Sequence, residues 1–234
     1  MKTAIFVDGS FFLKRLKYLY RNKPRFNIND PETIVNELER ICYNHLNEKK
    51  RTDSIKELYK REHVLYRIFF YDCKPLTKKA HKPISKKAID FSKTPQAIMR
   101  TQIHELLKKK RKTALRLGAL QDFSQWIMKP NVLKDILNKK RELKDLTDDD
   151  FEYEVRQKSV DMKIGIDIAS VAYKKQVERI ILIAGDADFV PAAKLARREG
   201  IDFILDPMWL NIRPDLFEHI DGLASKAYHD PKSR

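Results

Sequence analysis

The sequence predicts an α/β fold: a parallel β-sheet with helices on both faces and a basic, mainly helical insertion in the middle of the chain. Three observations lead to this prediction. Short apolar runs alternate with helical patterns near both ends, several of these runs end on an Asp, and a long central stretch carries most of the positive charge. Strands that alternate with helices are typical of βαβ units in sheets that are covered on both faces.

The first part of the chain predicts a strand, a tight turn and a helix, then a second helix and a second strand. Residues 3–7 are apolar and rich in strand formers, and Phe12, Leu16 and Leu19 follow at helical spacing. Asp30 before Pro31 predicts the capped start of another helix. Its predicted buried face consists of Ile34, Leu38, Ile41 and His45, and we interpret His45 as a packed residue. Residues 64–71 predict the second strand, which ends at Asp72.

The middle of the chain predicts helices. Thr94-Pro95 marks a helix start, Gly118 marks its end, and Met99, Ile103 and Leu107 form an apolar stripe between them. This helix is expected to carry the basic run Lys108, Lys109, Lys110, Arg111 and Lys112, and to turn it toward the acidic residues described below. A second Lys-rich helix is predicted over about residues 131–144.

The final third returns to alternating elements after the acidic boundary at residues 148–150. The patterns predict a helix over 160–174, a strand over 179–184, a helix over 191–199 ended by Gly200, and a strand over 201–205. We therefore predict one domain over residues 1–234, with core halves 1–73 and 151–234. Residues 74–150 would form the insertion.

The charge distribution indicates a polyanionic partner. The chain of 234 residues has 48 Lys and Arg against 33 Asp and Glu, a net charge of +15. Residues 74–145 alone contain 20 basic and six acidic residues, a net +14. A localised basic field of this size favours nucleic acid, because binding to phosphates releases condensed counterions.

Other features exclude several classes of protein. The 42% hydrophobic content is too high for a disordered chain. No apolar run approaches the 18 residues of a membrane span, and Asp8 interrupts the first apolar run too early for a signal peptide. Cys42 and Cys73 stand far apart, which argues against a zinc site or a disulfide framework. We predict a cytoplasmic protein without a membrane partner, and the sequence leaves open whether it forms homo-oligomers.

Four Asp residues are expected to meet at one edge of the sheet. Asp8 ends the first strand, Asp186 and Asp188 follow the 179–184 strand, and Asp161 begins the helix before that strand. If the two strands are neighbours, these carboxylates converge at the carboxyl edge. Carboxylate oxygens suit Mg²⁺ or Mn²⁺, which can activate water for displacement at phosphorus. The sequence therefore predicts a metal site held by Asp8, Asp161, Asp186 and Asp188.

Three more residues are weaker candidates for this site. Asp167 lies six residues after Asp161, about 240° around an ideal helix, and joins the site only if Asp161 precedes the helix proper. Lys158 could pair with a carboxylate or contact the scissile phosphate. Asp72 could be a turn residue at the end of the second strand.

Three segments resemble the signatures of NYN-domain proteins, which belong to the PIN-like nuclease superfamily and include the LabA group. They are Phe6-Val-Asp-Gly-Ser10, Gln157-Lys-Ser-Val-Asp161 followed by Asp167, and Ile183-Ala-Gly-Asp-Ala-Asp-Phe189. The resemblance covers residues 1–21 and about 151–230. It implies a Rossmann-like three-layer fold and a metal-dependent ribonuclease site at Asp8, Asp161, Asp186 and Asp188, with Asp167 also matching. Two positions depart from the pattern, since Phe11 replaces a common Asn and Ser159 replaces a common Gly.

Three functions remain open at this point. The first is an endoribonuclease whose basic segment binds RNA, with DNA not excluded. The second is a catalytically weak RNA-binding or adaptor protein, which Phe11 favours. The third is a phosphatase of the haloacid-dehalogenase type. We rank it low because Ser10 stands where that family needs a second Asp.

Overall fold

The structure, a computed structural model, describes residues 1–47 and 64–229 and is built around a central mixed sheet. Within this part of the chain the sheet has seven strands in the order β6-β5-β2-β1-β7-β8-β9. Their bounds are Lys2–Asp8 (β1), Val64–Cys73 (β2), Thr113–Met128 (β5), Phe151–Lys158 (β6), Arg179–Ile183 (β7), Asp202–Asp206 (β8) and Gly222–Leu223 (β9). A separate antiparallel pair is formed by Lys79–His81 (β3) and Ala88–Asp90 (β4).

Helices cover both faces of this sheet and complete the three layers. The helices are Gly9–Leu19 (α1), Pro31–Leu46 (α2), Pro95–Lys109 (α3), Pro130–Leu137 (α4), Val160–Tyr173 (α5), Val190–Arg198 (α6) and Pro214–Phe217 (α7). Helices α1, α2 and α3 pack on one face, and α5 and α6 pack on the other. The prediction of a Rossmann-like α/β fold is therefore confirmed.

Strand β1 lies at the centre of the sheet and shows why its sequence is continuously apolar. Ile5 and Val7 point to the layer of α1–α3, whereas Ala4 and Phe6 point to the layer of α5 and α6. All four side chains are fully buried. A parallel strand with two covered faces has no solvent side on which a polar residue could alternate.

The predicted helix boundaries are largely confirmed by their caps. The Asp30 carboxylate accepts a hydrogen bond of 2.8 Å from the Thr33 amide at the start of α2. The Thr94 hydroxyl accepts one of 3.3 Å from the Ala97 amide at the start of α3. Gly200, with φ of +79°, follows α6 in the left-handed region that favours glycine. His45 is packed as expected, with Nε2 2.7 Å from Asp206 Oδ2.

The helices predicted for the middle segment are shorter than expected, and a strand lies between them. Helix α3 ends at Lys109, and β5 begins four residues later and runs through Gly118. A Cβ at Gly118 would meet Val160 Cγ2 at 2.8 Å and the Lys158 carbonyl at 2.9 Å, so this glycine permits a close approach of backbones inside the sheet. The second predicted helix, over about 131–144, shrinks to the eight residues of α4.

Strand β5 also changes the predicted sheet from parallel to mixed. Residues 113–118 pair parallel with β2, whereas residues 119–128 pair antiparallel with β6. The second half of β5 therefore extends beyond the carboxyl end of β2, together with β6. We call this pair of segments, residues 119–128 and 151–158, the β5–β6 arm. The middle segment thus contributes a strand and a core helix to the sheet domain.

Two smaller sequence expectations concern cysteines and membranes. Cys42 and Cys73 are both buried free thiols. No helix in residues 1–47 and 64–229 is long and apolar enough to cross a membrane.

Candidate active site

The predicted acidic residues lie around the carboxyl edge of the sheet. Strands β1 and β7 are parallel neighbours, as the convergence argument required. Asp8 is the last residue of β1, and Asp186 follows β7 by three residues. Asp161 lies in the first turn of α5, directly after the end of β6 and Ser159. Three separate segments of chain therefore bring carboxylates to this edge.

Asp8 is the most buried member of this set. It caps α1, and its Oδ1 accepts a hydrogen bond of 3.1 Å from the Phe11 amide. Burial raises the pKa of Asp8 to about 6, even though the Phe11 amide stabilises the charged form. The negative charges of Asp161 and Asp72 raise this pKa further. Asp8 therefore lies in a field of like charge.

Asp161, Asp186 and Asp188 extend this acidic field toward solvent. The pKa of Asp161 is raised, first by loss of water around its carboxyl group and then by the charges of Asp186 and Asp188. Asp186 Oδ1 accepts a hydrogen bond of 3.2 Å from the Asp188 amide, which fixes the turn after β7. Asp186 and Asp188 are both exposed. In the described part of the chain, however, no three His, Cys, Asp or Glu side chains are grouped closely enough to hold a metal ion.

The two weaker candidates in this region have different environments. Asp167 Oδ2 accepts a hydrogen bond of 2.7 Å from the Tyr71 hydroxyl, and Arg116 Nε lies 3.3 Å from the same oxygen. These partners hold Asp167 on the α5 side of β2 and β5. Lys158 is exposed at the end of β6, one residue before the N-cap of α5.

A buried ionic cluster around Asp72 was missed by the sequence reasoning, which treated Asp72 as a weaker site candidate that could be a turn residue. Asp72 is fully buried at the carboxyl end of β2, next to the end of β1. Its Oδ2 lies 2.9 Å from Arg100 Nε and 2.8 Å from His104 Nε2. The Cys73 amide donates a hydrogen bond of 2.8 Å to Oδ1. These donors compensate the loss of hydration that a buried carboxylate suffers.

Ser10 connects this cluster to the acidic edge. Its Oγ accepts hydrogen bonds of 2.8 Å from Gln157 Nε2 and of 3.3 Å from Arg100 Nη2. Ser10 stands only two residues after Asp8, so Arg100 and Gln157 border the candidate site. The spacing of Arg100 and His104 on α3 places both on one helical face, which is a signal the sequence did contain.

The two departures from the NYN pattern have visible structural consequences. The Phe11 ring packs against Gly185, since a Cβ at Gly185 would lie 2.5 Å from Phe11 Cε2. An apolar ring thus covers the chain immediately before Asp186. Ser159 has a φ of +68°, in the left-handed region where glycine is favoured.

The predicted basic run does not face the acidic edge. Helix α3 begins near the carboxyl end of β2 and ends near the other edge, where β5 starts opposite Ile68. Only Lys108 and Lys109 lie on the helix. Lys110 Nζ lies 2.7 Å from Glu39, and Lys112 Nζ donates a hydrogen bond of 2.6 Å to the Leu65 carbonyl. The apolar stripe of α3 packs on the core as expected.

Comparisons with known proteins identify a family. The family model described as the NYN domain matches residues 2–208, which includes the whole middle segment. No curated protein matches the chain significantly. Among solved structures, the chain is similar to a protein of unknown function from Vibrio parahaemolyticus, at 17% identity and a TM-score of 0.44. That match covers 96% of this chain and 91% of the other.

Proposed function

Because the chain belongs to the NYN domain family, we propose that it is a metal-dependent endoribonuclease that hydrolyses phosphodiester bonds in RNA. The observation that carries the proposal is the acidic field at the carboxyl edge of the sheet. Asp8, Asp161, Asp186 and Asp188 come from three separate segments, and the pKa values of Asp8 and Asp161 are raised partly by neighbouring carboxylates. Asp residues that only cap helices or turns would not need to lie so close to other carboxylates at one edge of the sheet.

The donor chemistry of this edge fits a hard divalent cation. All four side chains offer only carboxylate oxygens, the ligands of Mg²⁺ and Mn²⁺, and a cation would relieve their mutual repulsion. Because no three of them are grouped as they stand, binding requires the side chains of Asp161, Asp186 and Asp188 to turn toward Asp8. Asp8, Asp161, Asp186 and Asp188 would hold the cation, which when bound supplies the activation of water and the neutralisation of phosphate charge.

The neighbouring residues have supporting roles in this proposal. Lys158 is exposed beside the start of α5 and would contact a phosphate oxygen of the RNA. Asp167 would act without direct contact to the cation, because its hydrogen bonds with Tyr71 and Arg116 hold it within the α5 layer. Asp8 is fixed in its cap by the Phe11 amide, so its carboxylate is presented in one orientation.

A second function, an RNA-binding protein with little or no catalytic activity, is favoured by one observation. Many family members have an Asn three residues after the first Asp, and this chain has Phe11 at that position. The ring of Phe11 lies against Gly185. An aromatic ring cannot supply the hydrogen bonds of an amide to a water or phosphate. This alternative retains the fold and the basic middle segment but not the turnover.

The proposal is tested by incubating the protein with mixed cellular RNA in Mg²⁺, Mn²⁺ or EDTA, with single-stranded DNA in parallel. We expect cleavage of RNA with a divalent cation and none in EDTA. Asp186→Asn should abolish cleavage because it removes a charged ligand, while its unfolding midpoint stays the same because the side chain is exposed.

Asp202→Asn is the matched control, since Asp202 lies at the amino end of β8, away from the carboxyl edge of the sheet, and pairs with Arg179. It should cleave like the wild type. Undiminished cleavage by Asp186→Asn, or wild-type cleavage that is indifferent to EDTA, contradicts the proposal. RNA binding without cleavage in either metal supports the RNA-binding alternative.

A further inference from the structure

A cleft of about 470 Å³ lies beside the acidic edge, between the start of α3 and the β5–β6 arm. Ser10, two residues after Asp8, contributes to its lining. Arg100 lines the α3 side, and Tyr153 and Gln157 line the arm. The cleft is open to solvent next to the predicted metal ligands, and its volume lies within the range of small-ligand sites.

Arg100 is held in a fixed position in this cleft. Its Nε lies 2.9 Å from Asp72 Oδ2, and its Nη2 donates a hydrogen bond of 3.3 Å to Ser10 Oγ. Asp72 is fully buried and is also bound by His104, whereas 27% of the Arg100 side chain remains exposed. A guanidinium that is fixed on one side and open on the other is suited to a phosphate, because its remaining donors are already oriented.

The side of the cleft where the arm meets the start of α3 is aromatic. Tyr153 on the arm and Phe91 just before α3 are partly exposed, with ring centroids 4.7 Å apart, and Trp126 packs edge-on with Tyr153. Thr94 caps α3 at the edge of the cleft, so the amino end of this long helix adds a favourable field for an anion. Glu152 is the acidic side chain of the lining and is exposed.

We propose that this cleft binds one nucleotide of single-stranded RNA, with Arg100 contacting its phosphate and Tyr153 stacking on its base. The identity of the ligand rests on the proposed function. A base within a duplex is stacked on both sides and cannot enter the cleft, so the strand must be unpaired there. The nucleotide would lie next to the acidic edge and thereby position the neighbouring phosphodiester bond.

The test is fluorescence anisotropy with labelled oligouridylate in EDTA, so that binding is measured apart from cleavage. Arg100→Lys keeps a charge near Asp72 but removes the planar fork of donors, and should weaken binding about tenfold. Tyr153→Ala should weaken binding roughly 5- to 100-fold because the base no longer has a ring to stack on. Arg198→Gln is the control, since Arg198 is exposed at the end of α6, on the other edge of the sheet, and its replacement should change binding little.

An oligomer of abasic ribose phosphates separates the role of Arg100 from that of Tyr153. With it, Tyr153→Ala should bind like the wild type, whereas Arg100→Lys should still bind more weakly. Wild-type affinity for oligouridylate in both variants overturns the proposed cleft, even if the wild type cleaves RNA. Binding through the cleft without cleavage in any cation leaves the cleft in place and overturns the nuclease. Tyr153→Ala does not touch Asp72, so it tests the cleft even if Arg100→Lys fails to fold.

Discussion

Ser159 is a non-glycine residue in a conformation that suits glycine. It precedes α5 with φ of +68°, its side chain makes no capping hydrogen bond, and it is exposed. A Cβ in the left-handed region costs about 1–2 kcal/mol, and here no side-chain contact to the helix end offsets that cost. The position has to turn sharply because β6 ends at Lys158 and Asp161 must reach the first turn of the helix.

We therefore expect Ser159→Gly to increase the free energy of unfolding by about 1 kcal/mol. Ser170→Gly is the control, since Ser170 lies within the same helix at ordinary helical dihedrals and its replacement should lower the free energy of unfolding by about 0.5 kcal/mol. Both values are measured by urea denaturation. A Ser159→Gly variant that is destabilised as much as Ser170→Gly would show that the left-handed conformation carries no strain.

At the same scale, the position of the four Asp residues around the carboxyl edge could be anticipated from the sequence, and the Asp72 cluster could not. Asp8, Asp161 and Asp186 follow local signals, namely strand ends, a glycine turn and a helix start. Asp72 also ends a strand, but its role depends on Arg100 and His104, which reach it from a helix that starts 23 residues later in the chain. Such a meeting is set by how α3 packs on the sheet and not by local pattern.

Among the elements, the β5–β6 arm depends on contacts that close the ends of the connection between its strands, residues 129–150. The Lys129 amide donates a hydrogen bond of 2.9 Å to the Asp150 carbonyl. The Asp150 carboxylate is bound by Arg141, at 2.7 and 2.6 Å, and by the Thr147 amide, at 2.7 Å. Hydrogen bonding by Arg141, and then by Thr147, lowers the pKa of Asp150 to about 2.

This lowered pKa predicts a pH-dependent contribution to stability. The folded state favours the ionised carboxylate, so the contribution is complete above the ordinary pKa of 3.8 and is lost as the pH falls through about 2. Asp150→Asn should therefore unfold at a lower urea concentration than the wild type at pH 6, and the difference should shrink as the pH falls below 3.8 and through about 2. The neighbouring Asp149→Asn serves as the control, since Asp149 is exposed. A difference that does not change with pH would contradict this role of the ion pair.

The element predictions failed where two signals competed. The order and type of α1, α2, β2, α5, β7, α6 and β8 followed from apolar spacing and caps, which the structure confirms, whereas β6 was not predicted. In the middle segment, the helical stripe of α3 and its Lys run suggested that the helix continued to Gly118. Two stretches did signal strands, because apolar and polar residues alternate in them. Leu115 and Leu117 flank Arg116, and Phe151, Tyr153 and Val155 are separated by polar residues. Their pairing across 22 intervening residues is long-range, and no local pattern fixes it.

For the molecule as a whole, the basic residues at the end of α3 and the acidic residues at the carboxyl edge lie farther apart than the sequence predicted. The basic cluster, Lys108 to Lys112, spans the last two residues of α3 and the three that follow, and the 15 residues of this helix extend about 22 Å from the carboxyl edge. Glu105 and Glu39 pair with two of its lysines, at 2.5 and 2.7 Å. An RNA held at the acidic edge reaches this cluster only if the strand continues along the helix.

The length of the RNA should therefore decide whether the cluster matters. We expect the combined change of Lys108, Lys109, Lys110, Arg111 and Lys112 to Gln to leave the affinity for a tetranucleotide unchanged. The affinity for a long single strand should fall, and the slope of log affinity against log salt should decrease by about 0.7 for each phosphate that the variant no longer binds. Both are measured by anisotropy titrations in EDTA over a range of salt concentrations. Equally weakened binding of short and long RNA would place the cluster at the acidic edge after all. Unchanged binding of both RNAs would mean that these residues form only a solvated face, and that the nucleic-acid affinity of the protein resides at the carboxyl edge and its cleft.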